Sequence, residues 1–199
     1  MKHSWLLTLV AILAIVVFHN ALVPVKANLA ALITLAGFEQ PELIKQNGRE
    51  ALIAKIYSTY PLNNHSVITV AAGSADGVAV GMAVTADGEH LLGQVVEVYE
   101  HSSNVRTIFD KNWQLSVRIG DKEDEALLVS GHQPRLTMID AKAEIVESAK
   151  VISASRDFPY GIKLGSITGL AKDEASFQQG ILSVPYSLNT LKEIAIFLR

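Results

Sequence analysis

Hydrophobic residues are distributed along this chain in two contrasting ways. The first is an uncharged apolar run at residues 5–18, WLLTLVAILAIVVF, which continues with few polar positions to Val25. A helix from Trp5 to Val25 would rise about 30 Å, the thickness of the hydrocarbon core of a bilayer. The second, from Ser66 onward, is a series of short β-branched runs separated by turn residues, which is typical of strands.

The apolar run has two interpretations. As an uncleaved anchor, residues 1–27 form a single transmembrane helix with Lys2 on the cytoplasmic side and the rest of the chain outside. As a signal peptide, the same residues are removed by cleavage after Ala27. The anchor is favoured because apolar character resumes in residues 28–38, NLAALITLAGF, where a mature start would be polar. Both interpretations export residues 28–199.

Residues 28–60 are predicted to form a membrane-proximal helical segment. Pro41 suits the first position of a helix, Glu42 suits its positive end, and the apolar residues of 41–57 form an incomplete helical stripe. Gly48 interrupts that stripe at a cost of about 1 kcal/mol relative to alanine. A short coiled coil and a simple helical stalk both stay open, because fewer than three heptads are available.

The remainder of the chain is predicted to be mainly β. Its strand-like runs are short, its turns are closely spaced, and LSVRI (115–119) alternates cleanly between apolar and polar positions. Such a pattern indicates a barrel or sandwich and excludes a doubly wound α/β sheet. We therefore expect two small β-barrel subdomains, a first in residues 66–125 and a second in residues 126–199, between which strands can cross.

Glycines are concentrated in residues 70–99, VAAGSADGVAVGMAVTADGEHLLGQVVEVY. A phosphate-binding loop needs glycines that open a helix, and the triphosphate version needs a lysine after them. Here the glycines lead into the strand-like VAVGMAV, no lysine follows, and the dinucleotide spacing GxGxxG is absent. We interpret them as turn and bulge positions. These glycines are Gly73, Gly77, Gly81, Gly88 and Gly93.

Composition and motifs narrow the chemistry further. A net charge of −3 and a pI near 6.1 argue against a general nucleic-acid binder. The chain has no cysteine, which excludes disulfides, thiolate metal sites and cysteine nucleophiles. No serine lies in a GxSxG context, and the polar group of Asp87, Glu89 and His90 lacks a spaced ligand set. We predict no catalytic residue, no metal site and no cofactor.

Aromatic residues are the remaining candidates for partner contacts, since exposed aromatic side chains are enriched at protein interfaces. Trp113 follows Lys111 and Asn112 in a predicted turn and is the first candidate for exposure. Phe158 and Tyr160 belong to the same predicted partner surface.

Two segments, in order, resemble the rod shape-determining protein MreC family of bacteria. ITVAAGSADGVAVGMAVTADGEHLLGQVVEV, followed by SSNVRTIFD, resembles the family's G-x-x-D-G-V-x-x-G-M-x-V and Ser-x-V strands, and FPYGIKLGSI resembles its F-P-x-G-I-x-I-G-x-V. The matching positions are Gly73, Asp76, Gly77, Val78, Gly81, Met82, Val84, Gly93, Val95, Ser103, Val105, Asp110, Phe158, Pro159, Gly161, Ile162 and Gly165. The resemblance adds Asp76, Pro159, Gly161 and Gly165 to the turn and bulge positions.

The resemblance implies a non-enzymatic scaffold of the elongation machinery that maintains rod shape. Family members have two small β-barrels outside the inner membrane and link the cytoskeleton to peptidoglycan synthesis. The implied partners are an MreD-like membrane protein, a penicillin-binding transpeptidase, a RodA-like synthase and further copies of the chain. Two departures stand out: the chain has little room for the usual long coiled coil, and Ser155 stands where glycine is usual.

Two other classes of function stay open. A periplasmic adaptor of an export pump also combines an anchor with helical and β modules, although no long helical hairpin fits this sequence. A β-barrel hydrolase would need a catalytic histidine, and loss of activity against a peptide substrate when the histidines are mutated in turn would support this class. Depletion separates the scaffold from the adaptor, because loss of a shape scaffold rounds rod-shaped cells whereas loss of an adaptor causes drug sensitivity with normal shape.

Overall fold

The computed structural model describes residues 41–46, 48–58, 66–157, 159–172 and 177–198, all within one compact unit. The predicted anchor or signal peptide at 1–27 lies outside the described residues, and so does the part of the predicted helical segment that precedes residue 41. Within the described ranges, no helix combines the length and the apolar character that crossing a bilayer requires.

Thirteen β-strands make up most of this part of the chain. They are β1 (Glu42–Gln46), β2 (Arg49–Ser58), β3 (Val67–Val70), β4 (Ala83–Thr85), β5 (Leu91–Val98), β6 (Ser103–Thr107), β7 (Gln114–Ile119), β8 (Asp124–Val129), β9 (Arg135–Asp140), β10 (Lys150–Ser153), β11 (Lys163–Lys172), β12 (Phe177–Ser183) and β13 (Glu193–Phe197). A turn of 3₁₀ helix, Ser74–Asp76, separates β3 from β4.

Six of these strands close into a barrel, which we call barrel 1. They follow one another in the order β2, β13, β4, β5, β6 and β3, and β3 pairs with β2 to close the ring. β1 pairs with β2 outside the ring. Alternate residues of the strands point inward, as the period of a pleated strand requires. The interior side chains include Leu52, Ala54, Ile68, Val70, Val84, Leu92, Val95, Val105, Ile194 and Ile196.

A second set of six strands forms barrel 2. Its closed order is β10, β11, β12, β9, β8 and β7, and all neighbours are antiparallel. The burial of β7 alternates strictly, with Leu115, Val117 and Ile119 inside, as the sequence pattern predicts. The other interior side chains include Leu128, Leu136, Ile139, Val151, Leu164, Ile167 and Leu182.

The two barrels are nested along the chain, which corrects the expected boundaries of 66–125 and 126–199. The predicted boundary falls between Glu125 and Ala126, which are consecutive residues of β8. Barrel 2 instead runs from β7 to β12, and barrel 1 takes β2 from before residue 66 and β13 from the C-terminal end. The sequence of a short amphipathic strand does not indicate which other strand it pairs with. A boundary predicted from chain order alone was therefore misplaced.

The helix expected within residues 41–57 is also wrong, because these residues form a β-hairpin. β1 and β2 pair in the register Leu43↔Leu52 and Gln46↔Arg49, and Gly48 adopts a φ of +78°. The sequence between the paired ends is Asn-Gly, the dipeptide preferred by two-residue hairpin turns. The incomplete helical stripe is therefore the strand alternation of a hairpin.

Candidate functional site

The outer wall of barrel 1 packs directly against barrel 2, and we call this contact the barrel seam. Along β13, Ile194 and Ile196 point into barrel 1, whereas Ala195 and Phe197 join the apolar cluster that fills barrel 2. Ala51, Ala83 and Leu91 from the neighbouring strands belong to the same cluster. The alanines allow the two walls to approach closely, and the shared apolar packing fixes the barrels against each other.

Polar contacts also cross the seam. The hydroxyl of Tyr186, in the segment between β12 and β13, donates a 2.7 Å hydrogen bond to the carbonyl of Leu91 on β5. Burial raises the pKa of Tyr186 well above its ordinary range, with a smaller contribution from the Asp87 carboxylate, so the hydroxyl remains a donor. Its ring meets that of Phe109 edge-on at 6.5 Å. On the surface, Lys163 contacts Glu89 at 2.7 Å.

Two adjoining clefts open along the seam, and together we call them the seam groove. The larger has a volume of about 470 Å³ and the smaller about 210 Å³, and both are lined by Arg49 and Phe197. The remaining residues of the larger cleft are Gly81, Met82, Ala83, Gln94, Arg156, Asp157, Pro159 and Leu198. The remaining residues of the smaller cleft are Gly88, Glu89, Tyr160, Gly161, Ile162 and Lys163. Residues of both barrels therefore line the groove.

The two sequence motifs meet at this groove. Gly81 and Gly88 come from barrel 1, whereas Pro159, Tyr160 and Gly161 come from the segment between β10 and β11. Tyr160 is 55% exposed, as expected for a partner contact, and its hydroxyl donates a hydrogen bond to the carboxylate of Glu123. That hydrogen bond raises the pKa of Tyr160. The predicted contact Phe158 lies outside the described residues.

Trp113 is not a surface residue, and the expectation for it is wrong. Its side chain is 8% exposed and belongs to the apolar cluster of barrel 2. The turn that precedes β7 is closed by hydrogen bonds from the backbone N–H groups of Asn112 and Trp113 to the side chain and carbonyl of Asp110. This turn directs the indole inward. The polar residues next to Trp113 in the sequence therefore suggested an exposure that the side chain does not have.

Three of the predicted turn and bulge positions, Gly73, Gly93 and Gly165, have no room for a side chain, and at Gly165 an added Cβ would lie 2.1 Å from the backbone oxygen of Ser183. A Cβ added at Gly93 would lie 1.9 Å from the backbone oxygen of Arg106, and one added at Gly73 would lie 2.3 Å from that of Tyr99. The N–H of Gly73 donates to the carboxylate of Asp76 at 2.9 Å, which caps the 3₁₀ turn. The positive φ angles at the predicted positions are +84° at Gly77, +88° at Gly81, +81° at Gly88, +85° at Gly161 and +150° at Gly165.

The polar group of Asp87, Glu89 and His90 forms a local structure at the β4–β5 turn. The carboxylate of Asp87 accepts hydrogen bonds from the backbone N–H groups of Glu89 and His90 and lies 2.6 Å from the imidazole of His90. Burial raises the pKa of Asp87, but the hydrogen bonds with His90 and Glu89 outweigh it and hold the pKa below its ordinary value. Among the described residues, no group of three potential ligands could hold a metal ion.

The residues that sequence reasoning missed are Arg49, Arg156 and Phe197. Each looks ordinary in its own strand or turn, and they are separated by long stretches of chain. The pairing of β2 with β13 and the packing of barrel 2 on the seam bring them together. Only the long-range topology carries that signal.

Comparison with known proteins places this architecture in a family. The family model described as rod shape-determining protein MreC, barrel core, matches residues 56–198. The cell shape-determining protein MreC of Listeria monocytogenes is 26% identical over 153 residues, an alignment that covers 70% of this chain and 52% of the relative. The chain therefore spans about half the length of the curated relative it matches.

Solved structures share the fold. The structure of MreC from Listeria monocytogenes superposes with a TM-score of 0.67 at 21% identity, covering 100% of this chain and 96% of the other. A chain from the complex between penicillin-binding protein PBP2 and MreC from Helicobacter pylori gives a TM-score of 0.59 at 15% identity, covering 75% and 98%. At these identities the likeness shows the fold alone.

Proposed function

Because the chain belongs to the rod shape-determining protein MreC family, we propose that it is a membrane-tethered, non-enzymatic scaffold of the bacterial elongation machinery. The observation that carries the proposal is the family match, which runs from residue 56, near the end of β2, to residue 198 and so includes all of barrel 2 and all the other strands of barrel 1. The scaffold links cytoskeletal and peptidoglycan-synthesis proteins and thereby maintains rod shape.

A penicillin-binding transpeptidase is the first partner of the proposed scaffold. The solved complex between PBP2 and MreC from Helicobacter pylori supports this partner, because a chain of that complex shares the present fold. An MreD-like membrane protein, a RodA-like synthase and further copies of the chain complete the proposed assembly. The seam groove is the candidate contact, since exposed Tyr160 and residues of both barrels meet there.

The proposed location is the inner membrane, with the barrels on the periplasmic side. The apolar run at residues 5–18 and the single Lys2 before it support this orientation. Tethering keeps the barrels near the bilayer, where membrane-bound synthases work. Packing at the barrel seam keeps the surfaces of the two barrels in a fixed arrangement, which a linking protein requires.

The cellular proposal is tested by depletion and complementation in a rod-shaped host. We expect depletion to round the cells and the full chain to restore rods, whereas a chain without residues 1–27 fails to do so. Fractionation should recover the full chain with the inner membrane. Normal shape with increased drug sensitivity would contradict the scaffold and favour an export-pump adaptor.

The partner proposal is tested by photo-crosslinking in cells. Tyr160 and Tyr99 are each 55% exposed, but Tyr99 lies in the β5–β6 hairpin and does not line the seam groove. A photoreactive phenylalanine analogue at position 160 should capture the penicillin-binding transpeptidase, and the same analogue at position 99 should not. Equal capture from both positions, or capture from neither, would contradict the seam groove as the contact.

A further inference from the structure

The larger cleft of the seam groove is lined by two arginines without an ion-pair partner among the described residues. Arg49 begins β2 of barrel 1, and Arg156 follows β10 of barrel 2. By contrast, the guanidinium groups of Arg106 and Arg118 contact carboxylates at 3.4 and 2.9 Å. A guanidinium presents a planar fork of N–H donors that matches a carboxylate. Two such forks therefore line one cleft, each contributed by a different barrel.

The same cleft has an apolar floor. Met82 and Phe197 are each 6% exposed in the folded chain, and Pro159 and Leu198 complete the apolar lining. The volume of about 470 Å³ accommodates one or two side chains of a bound segment. A ligand that fills this cleft must present apolar atoms to its floor as well as negative charge to its rim.

The charge of the lining also favours an anion. Arg49 and Arg156 contribute two positive charges, and Asp157 contributes one negative charge. In the adjoining cleft, Lys163 and Glu89 form an ion pair, so together they add no net charge. The net charge of the two arginines and the aspartate is thus +1, in a chain whose formal net charge is −3.

From this geometry we propose that the seam groove binds an extended acidic segment of a partner protein. Arg49 and Arg156 hold carboxylates of that segment, and a neighbouring apolar side chain packs on Met82 and Phe197. A phosphorylated glycan fits less well, because its hydroxyl and phosphate groups would lie against the apolar floor. The inference concerns the chemistry of one binding site and goes beyond the proposed shape-maintaining role.

The test uses the full chain in detergent and a fluorescein-labelled peptide amide, Gly-Glu-Phe-Leu-Glu-Gly. A matched peptide with both glutamates replaced by glutamine measures the affinity that remains when the two carboxylate charges are removed. We expect fluorescence anisotropy to show that the acidic peptide binds at least about threefold more tightly than the neutral one, with the difference shrinking at high salt. Equal affinity for the two peptides, or binding of neither, would overturn the proposal.

Variants locate the binding. Arg49→Gln and Arg156→Gln should each weaken binding of the acidic peptide by about threefold or more. Arg135→Gln is the matched control, because Arg135 is an exposed arginine outside the groove and without a salt bridge to a described residue. Asp157→Asn should tighten binding, a gain that loss of folding cannot produce. An unchanged affinity in both groove variants would overturn the proposal.

Competition distinguishes the chemistry of the anion. Inorganic phosphate, at matched ionic strength, should displace the acidic peptide no better than chloride does. Displacement by phosphate that Arg49→Gln and Arg156→Gln both abolish would overturn the peptide assignment in favour of a phosphate-bearing ligand. Because these measurements use purified protein, their outcome is independent of the cell-shape experiment.

Discussion

Gly93 illustrates how single residues constrain this fold, because the backbone of β6 occupies the space of its missing side chain. A Cβ at Gly93 would meet the backbone oxygen of Arg106 at 1.9 Å, whereas one at Gly77 would meet no atom within 4 Å. Gly93→Ala should therefore destabilise the protein by about 3 kcal/mol or more, since a strand must move. Gly77→Ala, which only strains a φ of +84°, should cost about 1 kcal/mol.

Chemical denaturation of both variants measures these free energies of unfolding. The Gly77→Ala variant serves as the comparison, because it adds the same methyl group in a position where space is open. If the two substitutions cost the same, the close approach of β5 and β6 at Gly93 is not the constraint that the structure indicates.

The Asp87 carboxylate predicts a pH dependence of stability. Its pKa in the folded chain lies below the ordinary value of 3.8, so its contribution is present above that value and is lost as pH falls through the folded pKa. Wild type should therefore be more stable than Asp87→Asn at about pH 6, and the difference should shrink toward about pH 3. Urea denaturation of both proteins across this pH range measures the difference in their free energies of unfolding. A difference that does not change with pH would contradict the prediction.

The environment of a residue was predictable where neighbours in the sequence determine it. It was not predictable where residues distant in the chain determine it. The sequence around Asp76 and Gly77 identifies a turn, because its hydrogen bonds stay within a few residues. The position of Arg156 beside Arg49 depends on the packing of two barrels. The prediction for Trp113 failed because the cluster that buries its ring is built from strands distant in the chain, which its polar sequence neighbours do not reveal.

At the scale of elements, the β1–β2 hairpin places consecutive residues on opposite faces. Ile44 is partly buried against the seam cluster, whereas Leu43 is 57% exposed. Ile44→Ala should therefore destabilise the protein by about 1–2 kcal/mol, and Leu43→Ala should change stability by no more than about 0.5 kcal/mol.

Thermal or chemical denaturation of the two variants measures the difference. A helix over the same residues would separate Leu43 and Ile44 by about 100° around its axis, whereas the strand places them on opposite faces. Similar costs for the two substitutions would therefore contradict the hairpin register Leu43↔Leu52.

The strands of the barrels were recognisable from sequence, but their pairing was not. Alternation within a strand such as β7 reflects which face is buried, and this information is local. The strands that lie beside β13 are determined by contacts between residues far apart in the chain. In β1 and β2, the Asn-Gly turn signal outweighed a weak helical stripe. A two-residue turn of this type joins two antiparallel strands whose backbones then pair with each other.

At the scale of the whole molecule, the seam depends on small side chains between the barrels. Ala195 is 1% exposed and packs between barrel 1 and barrel 2, whereas Ala171 is an exposed alanine on β11. Ala195→Leu should overpack the seam and destabilise the protein by about 1–3 kcal/mol. Ala171→Leu should change stability by no more than about 0.5 kcal/mol.

Limited proteolysis complements the unfolding measurements. If Ala195→Leu separates the barrels, the segments between them, residues 108–113 and 184–192, should be cleaved faster than in wild type and in Ala171→Leu. Unchanged stability together with unchanged cleavage would show that the barrels are not fixed by this packing.

The nested order of the barrels dictates the sequence in which the molecule is completed during synthesis. β13 closes barrel 1 between β2 and β4, yet the ribosome produces it after every strand of barrel 2. Barrel 2 is therefore ready to fold while the earlier barrel still has a gap in its wall and two unpaired strand edges. A nascent chain arrested before residue 193 would keep that gap, however long it was given to mature.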